Sequence, residues 1–464
     1  VQAVEAYLRH HFPDYLTQLS DFARLASVST DPAYRSQLLL AAHWVAQRME
    51  GAGFPVVEIW ETAGHPVVYG ERLVDPGLPT LLVYGHYDVQ PPDPLDRWTS
   101  PPFEPQVREV DGEQRLYARG VSDDKGPMLI PILVAEAFAR TQTPLPVNLK
   151  FLLEGEEEIG SPHLEDLISQ NQSRLGADLV LSADGAMWRP GVTSLNISSR
   201  GSCALELTVT GPARDLHSGR HGGAVLNPLV AISHLVASLH HPDGRVAVEG
   251  FYREVGSLSP QEYSALQRLP WDDAGYLQEV GAPALWGEPG YGTLERHWVR
   301  PTLEVTGMWG GYTGPGGKTV IPSQAHAKIS CRLVPDQDPA VVLQRVVDHL
   351  RQLCPPQVTL EVHTEGKGAF PYAIPADHWG LEVARRVLTQ LEGQPPLEVR
   401  IGGTLPIAQV FHQVLGLEMV FFSFSTGDED FHAPNEFFRL KRFELGLQAW
   451  ARYWQLAAQF IPQR

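Results

Sequence analysis

Between residues 80 and 184 the chain alternates short apolar runs with longer stretches of helical composition. TLLVY (80–84), VNLKFLL (147–153) and ADLVLS (177–182) are short, apolar and β-branched enough to be interior strands. MLIPILVAEAFA (128–139) and HLEDLISQNQ (163–172), set between them, predict helices. This rhythm predicts an α/β layer with a mostly parallel sheet. The pattern then changes: ALELTVT (204–210) and AHAKISCRL (325–333) alternate strictly, as half-exposed antiparallel strands do. Between them lie a helical stretch at 226–239 and the Gly/Pro-rich GMWGGYTGPGGKTVIP. After about residue 371 the α/β character returns, with helices near 379–391, in PIAQVFHQVL and near 440–460, and a strand MVFFSF at 419–424. The expected fold class is therefore α/β: a mostly parallel-sheet domain with helices on both faces, in two parts (1–195 and 371–464), interrupted by an inserted α+β domain at 196–370. The first residues, VQAVEAYLRHHFPDYL, read as an amphipathic helix.

Composition narrows the classes. At 43% hydrophobic and 19% charged, the 464 residues have ample material for cores. The formal net charge of −18 argues against nucleic acid as a partner, because phosphate binding needs a basic face. No run approaches the roughly 18 apolar residues of a membrane span, and the start lacks the basic and apolar regions of a secretory leader. Cys203, Cys331 and Cys354 have no CxxC spacing and read as reduced core thiols in a cytoplasmic protein.

The informative residues sit where strands stop. TLLVY runs into Gly85, His86 and Asp88; VNLKFLL into Glu154, Glu156, Glu157 and Glu158; ADLVLS into Asp184; MVFFSF into Asp428, Asp430 and His432. Asp123 and Asp124 stand just before an apolar helix. Singly, each has an ordinary explanation: aspartate forms turns and caps helices, and a glutamate run is commonly solvated. In an open α/β sheet, however, the carboxyl ends of the strands converge on one crevice. Carboxylates gathered there repel one another, and no arginine or lysine cluster accompanies them to compensate. Metal ions remain, and two histidines with mixed carboxylates suit zinc, with manganese second. Neither HExxH nor GxSxG is present. GGYTGPGGKT fails as a P-loop because five residues, not four, separate Gly311 from Gly317-Lys318.

GHYDVQP, WTSPPFEP, RGVSDDKGP, LLEGEEEIGS, LSADG, DLHSG, KTVIP, GGTLP and DFHAPNE occur in this order between about residues 84 and 436. Together they resemble the dinuclear zinc metallopeptidases of the carnosinase, cytosolic nonspecific dipeptidase, aminoacylase and carboxypeptidase G type, the dipeptidase branch above all. The resemblance implies two zinc ions per subunit, with manganese as the alternative. It makes His86 and Asp184 ligands of one ion, Glu158 and His432 ligands of the other, and Asp123 the bridge, with a cis Asp123–Asp124 peptide. Asp88 would orient His86 by accepting its other N–H. Glu157 would act as general base on a hydroxide bridging the two ions, then protonate the leaving amine. Glu154 and Glu156 acquire no role.

The same resemblance makes the inserted domain a lid and dimerisation domain, with 1–195 and 371–464 the two parts of the catalytic domain. His217 would reach the partner subunit's site in a homodimer and stabilise the oxyanion. Arg332, by its position on the His326, Lys328 and Ser330 face of its strand, is suited to a bidentate grip on a substrate carboxylate. Thr319 and Thr404 match positions that contact the substrate carboxylate, and Gly403, in the Gly402-Gly403 pair, lets backbone approach a ligand closely. The expected activity is metal-dependent hydrolysis of dipeptides or short peptides with a free C-terminal carboxylate. An N-acyl-amino-acid amidohydrolase would share every ligand, and a non-catalytic binding or dimerisation relative would lack some. Small peptides are the expected partners, with no nucleic acid and no membrane.

Overall fold

The apolar run TLLVYGH forms the strand Thr80–His86, buried from its second residue on, at the centre of a six-stranded sheet in the computed structural model, which describes residues 2–460. Parallel neighbours Asn148–Glu154 and Leu179–Ser182 flank it, and Met419–Phe421 extends the parallel set beyond Leu179–Ser182. The register aligns His86 with Glu154 and Tyr84 with Ser182, so the carboxyl ends of these strands share one rim. The other edge is an antiparallel hairpin, Val56–Trp60 and Val67–Arg72, that pairs with Asn148–Glu154. The helix Lys125–Arg140 is buried almost all round, as its continuous apolar composition requires.

Three local expectations are corrected. The N-terminal helix is two helices, Gln2–His10 and Phe12–Ala23, because Pro13 has no N–H to continue the first and suits the opening turn of the second. Val1 and residues 461–464 lie outside the described residues. The 163–172 helix is Leu164–Gln170 followed by a short turn of helix at Gln172–Leu175. MVFFSF is a strand only at Met419–Phe421, since its partner strand ends at Ser182, and Phe422 N–H makes the last bond to the Ser182 carbonyl.

The chain divides into two compact units. One comprises Val1–Ile197, Ile374–Val399 and Ile407–Arg464; the other comprises Ser198–Ala373 and Arg400–Pro406. The second unit holds a four-stranded antiparallel sheet in the order Thr302–Gly310, Gln324–Leu333, Gly201–Thr210, Thr359–Ala369. Strict alternation does what it predicts. Cys203, Leu205, Leu207 and Val209 turn inward with Ala325, Ala327, Ile329 and Cys331, in one core with residues of helices Pro228–Ala237 and Pro339–Leu353. Cys203 and Cys331 face each other across paired strands as free thiols. No helix among the described residues is long and apolar enough to cross a membrane.

Candidate metal centre

The central strand delivers His86 fully buried at its carboxyl end. Gly85 is needed there: a Cβ would come within 2.8 Å of Asp124 Oδ2 and 2.9 Å of Met128 Cγ. That close approach lets His86 N–H donate to Asp124 Oδ2 at 3.2 Å, tying the strand end to the start of the Lys125–Arg140 helix. The Asp123–Asp124 peptide is cis.

Asp123 stands between two histidines from distant parts of the chain. Its Oδ1 lies 3.0 Å from His86 Nε2 and its Oδ2 3.0 Å from His432 Nε2. Ligand atoms of His86, Asp123 and Asp184 lie within 4.8 Å of one another, and so do those of Asp123, Glu158 and His432. His432 Nε2 is also 3.2 Å from Glu158 Oε2. All five predicted metal ligands therefore come together in the first unit, in two groups that share Asp123. His432 adopts φ +59°, a left-handed conformation uncommon for a side-chain-bearing residue, which points to a backbone held for its side chain's position.

Glu157, the predicted base, lies beside this pair, with Oε2 4.0 Å from His86 Nε2. Asp88 also falls where predicted but works differently in detail. His86 Nδ1 is 3.1 Å from the Asp88 main-chain oxygen and 3.4 Å from its carboxylate. The carboxylate instead accepts the main-chain N–H groups of Glu157 and Glu158, at 3.2 and 3.1 Å. Asp88 thus orients the histidine and clamps the loop that carries both glutamates.

The electrostatics fit a cation. Burial pushes Glu157 well above the usual carboxyl range, with Asp184, Asp123 and Glu158 adding to the shift. Burial also lifts Asp184 to about 6 and raises Glu158. Asp123 is depressed despite burial because both histidines hydrogen-bond to it. Hydrogen bonds to Asp123 and Glu158 lift His432 to about 10. Those to Asp123 and Asp88 raise His86 against the effect of its burial. Both histidines are thus favoured in their protonated form, a proton each would shed to a divalent ion, and the oxygen and imidazole donors of the cluster are those zinc or manganese takes.

Sequence reasoning missed Glu436, which is fully buried. Its Oε1 accepts the N–H groups of Ser122 and Asp123, at 3.0 and 3.1 Å. Its Oε2 accepts Gly120 N–H at 2.9 Å and Arg119 Nη1 at 2.7 Å. It therefore shapes the loop that presents Asp123. The only sequence signal was its place at the end of DFHAPNE, since no periodicity marks a residue that binds main chain far away in sequence. Gln90 was missed too, and its Nε2 donates to Glu158 Oε2 at 2.8 Å. Asp428 stays outside the centre, bound to Arg439.

The remaining predicted residues belong to the second unit. Arg332 is half-buried on the strand face opposite the core, and its Nη1 donates to Thr404 Oγ1 at 2.7 Å. Gly403 and Thr404 lie in the short Arg400–Pro406 segment of that unit. His217 is exposed and pairs in register with Val320, while Ser218 N–H donates to the Thr319 carbonyl, so His217 and Thr319 are neighbours. A cavity of about 480 Å³ in the same unit is lined by Tyr252, Tyr276, Trp286, Arg296 and His297 among others, and includes none of the predicted site residues.

Known proteins resemble the chain along nearly its whole length. The sequence pattern of Peptidase family M20/M25/M40 matches residues 82–456. A Cys-Gly metallodipeptidase of Schizosaccharomyces pombe is 31% identical over 97% of this chain and 96% of its own. The human Beta-Ala-His dipeptidase is 28% identical over 99% of this chain and 93% of its own. The crystal structure of an M20 family metallo-carboxypeptidase, Sso-CP2 from Sulfolobus solfataricus, superposes with a TM-score of 0.84 at 29% identity, covering 96% of this chain and 99% of that one.

Proposed function

The chain belongs to peptidase family M20/M25/M40, and from that premise we propose that it hydrolyses dipeptides or short peptides with a free C-terminal carboxylate, using two metal ions held by His86, Asp123, Glu158, Asp184 and His432. The observation that carries this reading is Asp123, whose two oxygens each face a different histidine while Glu157 stands 4.0 Å from His86. Divalent ions bound there, zinc in our reading with manganese as alternative, would polarise the scissile carbonyl and acidify the attacking water. Glu157 takes the proton that water loses as it adds to the carbonyl carbon. It returns that proton to the amine nitrogen as the C–N bond breaks, and the acid formed gives up the water's second proton, leaving a protonated amine and a carboxylate. Burial suits Glu157 to the task, since a carboxyl that holds its proton readily both accepts and delivers one.

Arg332 reads the substrate's terminal carboxylate, with Thr319, Gly403 and Thr404 beside it, and His217 stabilises the oxyanion in the partner subunit's site. The homodimer this needs is supported by exposed Val305 and Trp309 on the edge strand Thr302–Gly310 and by Tyr312 just beyond it. Residues 1–195 and 371–464 act as the catalytic domain, and 196–370 as lid and dimerisation domain. Free thiols at Cys203, Cys331 and Cys354 support a cytoplasmic setting.

The test is hydrolysis by chelator-stripped protein with zinc or manganese restored, on Ala-Ala and N-acetylalanine side by side. Metal-dependent cleavage of Ala-Ala alone is expected. Cleavage mainly of N-acetylalanine would move the activity to the amidohydrolase class with the same centre.

A further inference from the structure

Arg200 and Arg332 are guanidiniums of the second unit that make no ion pair with a carboxylate among the described residues, and of the two only Arg332 has a role so far. The other, Arg200, is 6% exposed, and its side chain donates only to neutral acceptors. Nη1 reaches the His297 carbonyl at 3.0 Å. Nη2 reaches the Arg300 carbonyl and Thr302 Oγ1, both at 3.0 Å, and more weakly the Arg332 carbonyl at 3.4 Å. Its own main-chain N–H donates to the Gly403 carbonyl at 2.9 Å.

One residue therefore holds the carbonyl of Arg332 and the carbonyl next to Thr404, while Arg332 and Thr404 themselves meet at 2.7 Å. We propose that Arg200 is a positioning residue for the substrate-carboxylate subsite, fixing Arg332 and Thr404 in register and placing a second positive charge behind them.

The inference deepens the dipeptidase reading and rests on it. Only a guanidinium can do this: its forked donors reach three carbonyls and a hydroxyl at once, where a lysine ammonium offers a single nitrogen. A buried cation with no carboxylate within hydrogen-bonding reach is costly, although Glu304 is near enough to favour its charge, and an incoming carboxylate recovers part of that cost. Burial first, and the nearby Arg332 charge second, draw Arg200 down to about 10, so it remains protonated at neutral pH. An arginine that merely braced the fold would be indifferent to the charge of the ligand.

The experiment uses the metal-restored enzyme with Ala-Ala and its C-terminal amide. Arg200→Lys should raise KM for Ala-Ala about 10-fold or more, the scale of a lost charge-assisted hydrogen bond, with kcat changed by less than about 3-fold and the amide unaffected. Calorimetric binding of both ligands in a Glu157→Gln background should show the same selective loss without turnover. In an Arg332→Met background, Arg200→Lys should add less than about 2-fold, because its effect passes through Arg332. Should Arg200→Lys fail to fold, Thr302→Val removes one anchor of the guanidinium and should shift the Ala-Ala KM in the same direction.

Equal losses on acid and amide, or an effect undiminished in the Arg332→Met background, would overturn the assignment. If the wild type does not cleave Ala-Ala but Arg200→Lys still abolishes the preference for acid over amide in binding, the reaction has been misread and the role of Arg200 stands.

Discussion

The two units solve opposite charge problems. At the strand ends of the first, Glu157, Glu158, Asp123 and Asp184 gather with only His86 and His432 to offset them, and burial holds three of the four carboxyls above their ordinary range. In the second, Arg200 and Arg332 make no ion pair with a carboxylate among the described residues, and Glu304 acts on Arg200 only at longer range. Other buried charges are held within the protein, Arg119 by the Glu436 carboxylate at 2.7 Å and Lys125 by the Phe22 and Leu25 carbonyls. Under the reading proposed above, the first unit's charge is answered by cations and the second's by the substrate's anion.

Removing the cations has the largest expected effect. Chelation should abolish peptide hydrolysis, and zinc or manganese should restore it, as read by product release. Next comes Glu157→Gln, expected to lower kcat by about 10²–10⁴-fold, the usual worth of a general base, while metal analysis still finds both ions bound. Near-normal turnover by that variant would remove Glu157 from its role.

Arg332→Met tests the opposite pole. Losing charge-assisted hydrogen bonds should cut kcat/KM for Ala-Ala by roughly 10–100-fold and leave the amide nearly untouched. Proton linkage sharpens the first pole. Because metal-free His432 holds its proton up to about 10, and His86 is raised as well, ion binding at neutral pH must displace protons. Metal affinity should therefore fall as pH drops below that range, by about 10-fold per unit for each proton displaced, and calorimetry in buffers of different ionisation enthalpy would count them. Unchanged affinity between pH 8 and 6 would contradict the protonated cluster. The smallest effect belongs to Glu436→Gln, which loosens the Asp123 loop and should weaken metal binding by about 10-fold, measured by chelator competition.

The parallel strands of the first unit and the alternating strands of the second were legible because burial imposes a period on each: continuous where both faces are covered, twofold where one is. The edge hairpin Val56–Trp60 and Val67–Arg72 and the strand Thr359–Ala369 escaped notice, since edge strands mix polar and apolar residues without a clean alternation. The small sheet of Gln106–Val110, Glu113–Tyr117 and Phe437–Arg439 joins segments more than 300 residues apart, although Asp111-Gly112 marked its hairpin turn.

Residues chemically able to act are legible along the chain: histidines and carboxylates at strand ends are visible one segment at a time, because strand periodicity shows where each strand stops. Which atoms meet was settled by the folded chain. That Asp88 holds the Glu157–Glu158 loop as well as His86, that Glu436 cradles Asp123 from more than 300 residues away, and that Arg200 grips the carbonyls of Arg332 and Gly403 all depend on main-chain hydrogen bonds. Such bonds read no side chain of their partner, so they leave no pattern in the sequence, and folding alone sets them.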